Sequence, residues 1–249
     1  GDQSSLILDE YHPYEDLPKM INPTSGYIFN TNNSPFNSTA EFENLKEEDY
    51  NSTFSFMEEE NNRSIRFMEL IDEYEKLSYE DFKEIKYDQQ YPDSILYIGN
   101  ISQIFDLDKS EFPNYENLID LIQNWDRRGD IENIGAAQWS LYYSYMLDVL
   151  SENDLNVKDT IDIKFHLDAL EKTKDRLMKN FGKLDISLGD IQRIVRGDKS
   201  LPVSGLIDMI APTYSVPMEG GKVRAVSGES YIMLIKYSED GPEVETVLP

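Results

Sequence analysis

The chain has 249 residues, of which 39% are apolar and 12% aromatic, enough for a packed core and too much for a disordered segment. Acidic residues outnumber basic ones 48 to 23, and the resulting formal charge of −25 disfavours nucleic acid and anionic membrane surfaces as partners. The absence of cysteine excludes thiol catalysis, zinc–thiolate centres and disulfides, and two histidines, His12 and His166, leave little for a histidine-based metal site or a Ser-His-Asp triad.

Gly1 reads as a scar of tag removal, and the chain as a piece of a longer protein. Pro13, Pro18 and Pro23 predict extended chain and turns over the first 25 residues. Gly26-Tyr27-Ile28-Phe29 reads as a short buried strand running into the polar tip Asn30-Thr31-Asn32-Asn33-Ser34-Pro35. Residues 36 to 62, with the runs Glu47-Glu48-Asp49 and Glu58-Glu59-Glu60, read as a long acidic surface loop.

Helical periodicity then dominates residues 63 to 181. Phe67, Leu70, Ile71 and Tyr74 fall on one helical face, as do Leu118, Leu121, Ile122 and Trp125. Ser78 and Asp81 predict a capping box, and Ala136 to Leu150 is apolar enough for a central helix. Asp159 or Thr160 is expected to cap a last long helix carrying His166 on its apolar stripe, where a core histidine is the simpler role. Gly189 to Arg193 reads as one more short turn. From Leu201 the texture changes to strands, ending in a hairpin of Ser230–Tyr237 with Val244–Leu248. No uninterrupted apolar run reaches the ~20 residues of a spanning helix.

The organisation predicted is a single α+β unit: strand, Asn-rich tip and loop over 1–62, a helical region over 63–200, and strands over 201–249. The helical body is expected to stand alone, with the β pieces pairing with each other or between copies.

The segment richest in chemistry is Leu17-Pro18 through Pro35. Carboxamides at a strand end are neutral donors, suited to an oxygen that becomes negative in a transition state. Asn and Pro are equally common as plain turn residues, so the tip alone leaves both roles open. Arg63 at a predicted helix start opposes the helix dipole, which leaves it either a solvated charge or a functional one.

The order of motifs adds to this. The Asn-rich segment resembles the β-chain segment of the penicillin-amidase family, which includes penicillin, cephalosporin and acyl-homoserine-lactone acylases. Asn62-Arg63-Ser64-Ile65-Arg66 resembles the family's Arg-led helix start, and Leu121 to Arg128 followed by Gly135-Ala136-Ala137 its central helical segment. Gly189-Asp190-Ile191-Gln192-Arg193-Ile194-Val195-Arg196-Gly197-Asp198 with Leu201-Pro202, and Gly228-Glu229-Ser230-Tyr231, look closest to the acyl-homoserine-lactone and aculeacin acylase branch.

The resemblance implies a self-processing, N-terminal-nucleophile hydrolase that cleaves linear amides, its nucleophile being a Ser exposed at the start of the β chain. It implies that Asn32 holds the oxyanion, that Arg63 orients the site, and that Asn30 and Asn33 support the tip. The nucleophile itself is not among these residues: Ser4 and Ser5 lack the family's nucleophile context, and the fragment alone is expected to be inactive. The implied partners are the upstream α chain, the rest of the β chain and a small N-acyl substrate, in a periplasmic or secreted setting. No cofactor is implied beyond a structural calcium, for which Glu43 is the matching acid. The rival reading is a non-catalytic acidic helical binding module, or a pseudo-enzyme that kept the scaffold.

Overall fold

The computed structural model describes residues 12–51, 56, 60–96 and 99–247. Ser4, Ser5 and part of the Glu58–Glu60 run lie outside them. The architecture is α+β, as expected: helices α1 (Asn62–Ile71), α2 (Tyr79–Lys86), α3 (Glu116–Gln123), α4 (Ala136–Glu152), α5 (Ile163–Phe181) and α6 (Leu188–Ile191) precede two small sheets. The first sheet has the order β2-β1-β4-β3, from β1 (Gln192–Arg196), β2 (Lys199–Pro202), β3 (Tyr214–Pro217) and β4 (Val223–Ser227). The second is the C-terminal hairpin of β5 (Ile232–Ser238) and β6 (Gly241–Val247). Among the described residues no helix is long and apolar enough to cross a membrane.

The core is centred on α4, the helix whose sequence is apolar nearly all round. Its Trp139 stacks on Trp125 at 5.8 Å between ring centroids and on Tyr143 at 5.4 Å, while Phe105 closes a further side at 5.1 Å. Gly135 opens α4 with φ +105, and a Cβ there would lie 2.8 Å from Trp125 Cβ, so only glycine lets the Trp125 turn approach. The buried amide of Gln138 accepts the Gly135 N–H at 2.7 Å and donates to the Ile186 carbonyl at 3.1 Å, closing the helix start without leaving polar atoms unpaired.

His166 is a core residue. It is fully buried and its Nδ1 meets the Tyr142 hydroxyl at 2.5 Å, whereas Nε2 has no partner among the described residues. Burial pushes its pKa down to about 4. The capping box of Ser78 and Asp81 is present at α2.

Four local expectations change. Gly26–Phe29 runs extended but joins no ladder: Phe29 N–H donates to the Ser38 carbonyl at 2.9 Å, and the segment is held by side chains instead. Phe29 stacks on Phe67 of α1 at 4.6 Å, and Tyr27 meets the same ring edge-on at 6.0 Å. Of this stretch only Phe29 is buried, and Ile28 stays 54% exposed. The cap of α5 is Asp162, which accepts the Lys164 N–H at 2.9 Å; Asp159 is engaged in its own turn with Asn156 N–H at 2.6 Å. Strand structure begins at Gln192, because Gly197 at φ +58 and Asp198 form a tight hairpin turn between β1 and β2. Helices α1 and α3 end at Ile71 and Gln123, short of Tyr74 and Trp125, the last residues of the apolar stripes expected to be helical.

Candidate active site

The Asn-rich tip is a web of side chain-to-backbone bonds, the local chemistry for which short carboxamides are suited. Asn30 Oδ1 accepts the Asn32 N–H at 3.0 Å, and Asn33 Oδ1 accepts the Thr31 N–H at 3.0 Å. Asn33 Nδ2 then donates to the Asn37 carbonyl at 2.5 Å and is buried, so the tip folds back on itself. Asn32 sits at its exposed apex with φ +63, a left-handed conformation that asparagine tolerates better than most residues.

Helix α1 supplies the second component. Its N-cap, Asn61, accepts the Ser64 N–H at 2.9 Å and donates through Nδ2 to the Thr31 carbonyl at 2.8 Å. One buried asparagine thus fixes the helix start and ties it to the tip. This places Arg63, the second helical residue, beside Asn32: Arg63 Nη1 donates to Asn32 Oδ1 at 3.1 Å. An arginine has only donors, so the contact decides which way the carboxamide is turned. The oxygen faces Arg63 and the Nδ2 donor faces away from it.

The third component comes from the loop between β2 and β3. Asp208 Oδ1 accepts from Arg63 Nε at 2.9 Å, and its Oδ2 accepts both the Asn62 N–H and Asn62 Nδ2, each at 2.9 Å. The Asn62 N–H is one of the unpaired donors that every helix leaves at its start, and a carboxylate there is also favoured by the helix dipole. The same carboxylate offsets the misplaced positive charge of Arg63. Side-chain exposure of 23% for Arg63 and 20% for Asp208 puts the pair at a desolvated surface edge, where such a contact is stronger than on an open surface.

Asp208 itself has φ +60, so two non-glycine residues in left-handed conformation, Asn32 and Asp208, meet on one arginine. Backbone strain of this kind costs of order 1–3 kcal/mol per residue and persists only where surroundings enforce it. The loop is enforced. Gly205 N–H donates to the Gly129 carbonyl at 2.8 Å, Ala211 N–H to the Asp88 carbonyl at 3.1 Å, and the Tyr91 hydroxyl to the Ile207 carbonyl. Gly205 has φ +86, and a Cβ on it would come 2.6 Å from the Ala211 carbonyl oxygen.

A loop-tip carboxamide held by an arginine, with the arginine held by a carboxylate, is a built arrangement. The family model for penicillin amidase matches residues 1–249. The chain belongs to the penicillin amidase family. Membership makes it part of an amide-cleaving hydrolase scaffold.

Of the residues singled out from sequence, Asn30, Asn32, Asn33 and Arg63 are brought together. Glu43 lies apart, at the turn that leads into this segment. Its Oε1 accepts the Thr24 N–H at 2.6 Å and the Thr24 hydroxyl, and its Oε2 accepts the Ser25 N–H at 2.8 Å. These bonds, the Thr24 hydroxyl first, hold the Glu43 carboxyl down at about 2. Among the described residues no group of three or more histidine or acidic side chains is arranged to hold a metal ion. Asp208 and Asn61 complete the arrangement and carry no motif of their own in the sequence. The one signal for Asp208 is its position as a lone acid inside Leu206-Ile207-Asp208-Met209-Ile210.

Proposed function

We propose that this chain carries the oxyanion-holding half of an N-terminal-nucleophile acylase that hydrolyses linear amides. The observation that carries the reading is the Arg63–Asn32 contact, which takes up the carboxamide oxygen of an exposed residue and so turns its Nδ2 donor away from Arg63. In the proposed reaction, a Ser hydroxyl at the start of the β chain attacks the amide carbonyl, and its own α-amine takes the hydroxyl proton. The carbonyl oxygen becomes an oxyanion, which accepts a hydrogen bond from Asn32 Nδ2. Collapse of the tetrahedral species expels the amine, which takes up the proton, and leaves an acyl-enzyme that water hydrolyses.

Arg63 does not need to touch the substrate in this scheme. It turns the carboxamide, and Asp208 turns Arg63. Preorganisation of this kind is what makes such a donor effective, because nothing has to rotate as charge develops. The blocks at Gly189–Pro202 and Gly228–Tyr231 support acyl-homoserine lactones and related N-acyl compounds as the first substrates to assay.

The test uses the complete gene product. Intact mass and N-terminal sequencing should find two chains, the second beginning with Ser, and acyl-homoserine lactones or penicillins should be hydrolysed by wild type and hardly by Asn32→Ala. A single uncut chain without amidase activity would overturn the reading and favour a binding scaffold.

A further inference from the structure

Behind the Asp208 loop lies a cavity of about 200 Å³ that the proposed hydrolysis does not use. One wall is a face of α4 carrying Ser140, Tyr143, Ser144 and Leu147; Trp139 and Ile207 line it further, and Arg176 on α5 also borders it. Ile207 directly precedes Asp208, and the Asp208 carboxylate adds to the burial that raises the Tyr143 hydroxyl pKa, so cavity and candidate site share a wall.

The charge of this cavity is opposite to that of the molecule. The chain carries −25 overall, yet no aspartate or glutamate lines the space. Arg176 donates only to neutral acceptors: the Gly221 carbonyl at 2.9 Å, the Lys222 carbonyl at 2.8 Å and the Tyr145 hydroxyl at 3.4 Å. By contrast Arg63, Arg66 and Arg128 each have a carboxylate within 3.2 Å. Arg176 is therefore a positive charge held by two carbonyls and a hydroxyl, beside a mainly apolar space that serine, threonine and tyrosine hydroxyls also line, and with no carboxylate partner among the described residues. Such a group favours a carboxylate, which it can meet with charge-assisted hydrogen bonds.

Volume limits the rest of the ligand. An apolar cavity of about 150 Å³ takes one benzene ring, so this one has room for a single ring or a short branched chain beside the acid group. We propose that the cavity between α4, α5 and the Asp208 loop binds a small monocarboxylate with an apolar body, its acid group toward Arg176 and its body against Trp139 and Leu147. The inference is independent of the proposed hydrolysis.

The experiment is a titration of the complete protein with benzoate and with benzamide, its uncharged counterpart, followed by ligand-observed NMR and calorimetry. Benzoate should bind saturably and at least about tenfold more tightly than benzamide. Arg176→Gln should remove that preference, and Ser144→Phe, which fills the mouth without touching the charge, should abolish binding of both. Equal affinity for benzoate and benzamide in the wild type would overturn the proposal, as would benzoate binding unchanged in Ser144→Phe or no saturable benzoate binding at all. Should Arg176→Gln fail to fold by circular dichroism, the wild-type preference and the Ser144→Phe result decide the matter by themselves.

Discussion

Arg63 Nη1 donates to Asn32 Oδ1 at 3.1 Å while its Nε donates to Asp208 Oδ1 at 2.9 Å, so one guanidinium bridges a carboxamide and a carboxylate 176 positions apart (208 minus 32). The fork shape matters here. A lysine ammonium is a point donor on a flexible stem and cannot hold two acceptors in fixed directions.

The proposed donor role of Asn32 predicts that Asn32→Ala lowers kcat of the complete enzyme by about 10²–10³. The melting temperature should fall only slightly, because the side chain is exposed and its own backbone N–H is held by Asn30, the remaining cost being that of alanine at φ +63. Steady-state kinetics together with a thermal melt on the same preparation make the check. An activity loss accompanied by an equal loss of folded protein would count against the role.

Arg63→Lys and Asp208→Asn should each lower kcat more than they raise KM. Their effects should not add: the double variant should resemble the worse single one, since both remove the same orientation of Asn32. Asp208→Ala should also destabilise the fold by about 2–3 kcal/mol, as it strands the Asn62 N–H and a partly desolvated guanidinium. A double-mutant cycle read by urea denaturation and by kcat measures both parts.

How much of this was legible beforehand depended on distance along the chain. The tip and the Arg63 helix start are contiguous motifs, and each could be placed by local chemistry and by resemblance. Asp208 could not. It is 145 residues from Arg63 in a loop without any recurring pattern, and its one local mark, a lone acid in an apolar run, does not tell which distant helix it caps. The Gly26–Phe29 error has a related cause: an apolar run of four residues suits a strand and a docked extended segment equally, and the stacking partner Phe67 decides between them. The central helix and the C-terminal hairpin were readable because periodicity and turn residues both lie within the elements themselves.

Gly205→Ala should cost about 2–3 kcal/mol, from a left-handed backbone and from a Cβ 2.6 Å from the Ala211 carbonyl oxygen. Any protein that still folds should lose amidase activity through displacement of Asp208. By comparison Gly182→Ala, also at positive φ but with no atom within 4 Å of the added methyl, should cost less. Chemical denaturation of the pair separates clash from conformation.

His166 gives a pH dependence with a definite sign. Its folded pKa is depressed to about 4 by burial, against 6.5 for the free side chain. The unfolded chain therefore takes up a proton that the folded one resists, and stability falls as pH drops from about 6.5 towards 4. Glu43, held down at about 2 by its bonds to Thr24 and Ser25, acts in the same direction at lower pH, where protonation would release the turn. In His166→Gln the drop in melting temperature between pH 7 and pH 5 should be smaller than in wild type, and an unchanged drop would show that other groups control it.

The bond from the Asn62 N–H to Asp208 closes a loop of 146 residues. A contact of that span is slow to form and late, since its loop must be closed before it gains anything. During synthesis the Asn-rich tip and α1 emerge first, yet they stay without their carboxylate until the loop after β2 has left the ribosome. The site is thus tied to synthesis as far as the Asp208 loop: a product truncated before it would hold every residue of the Asn-rich tip and still lack the group that orients it.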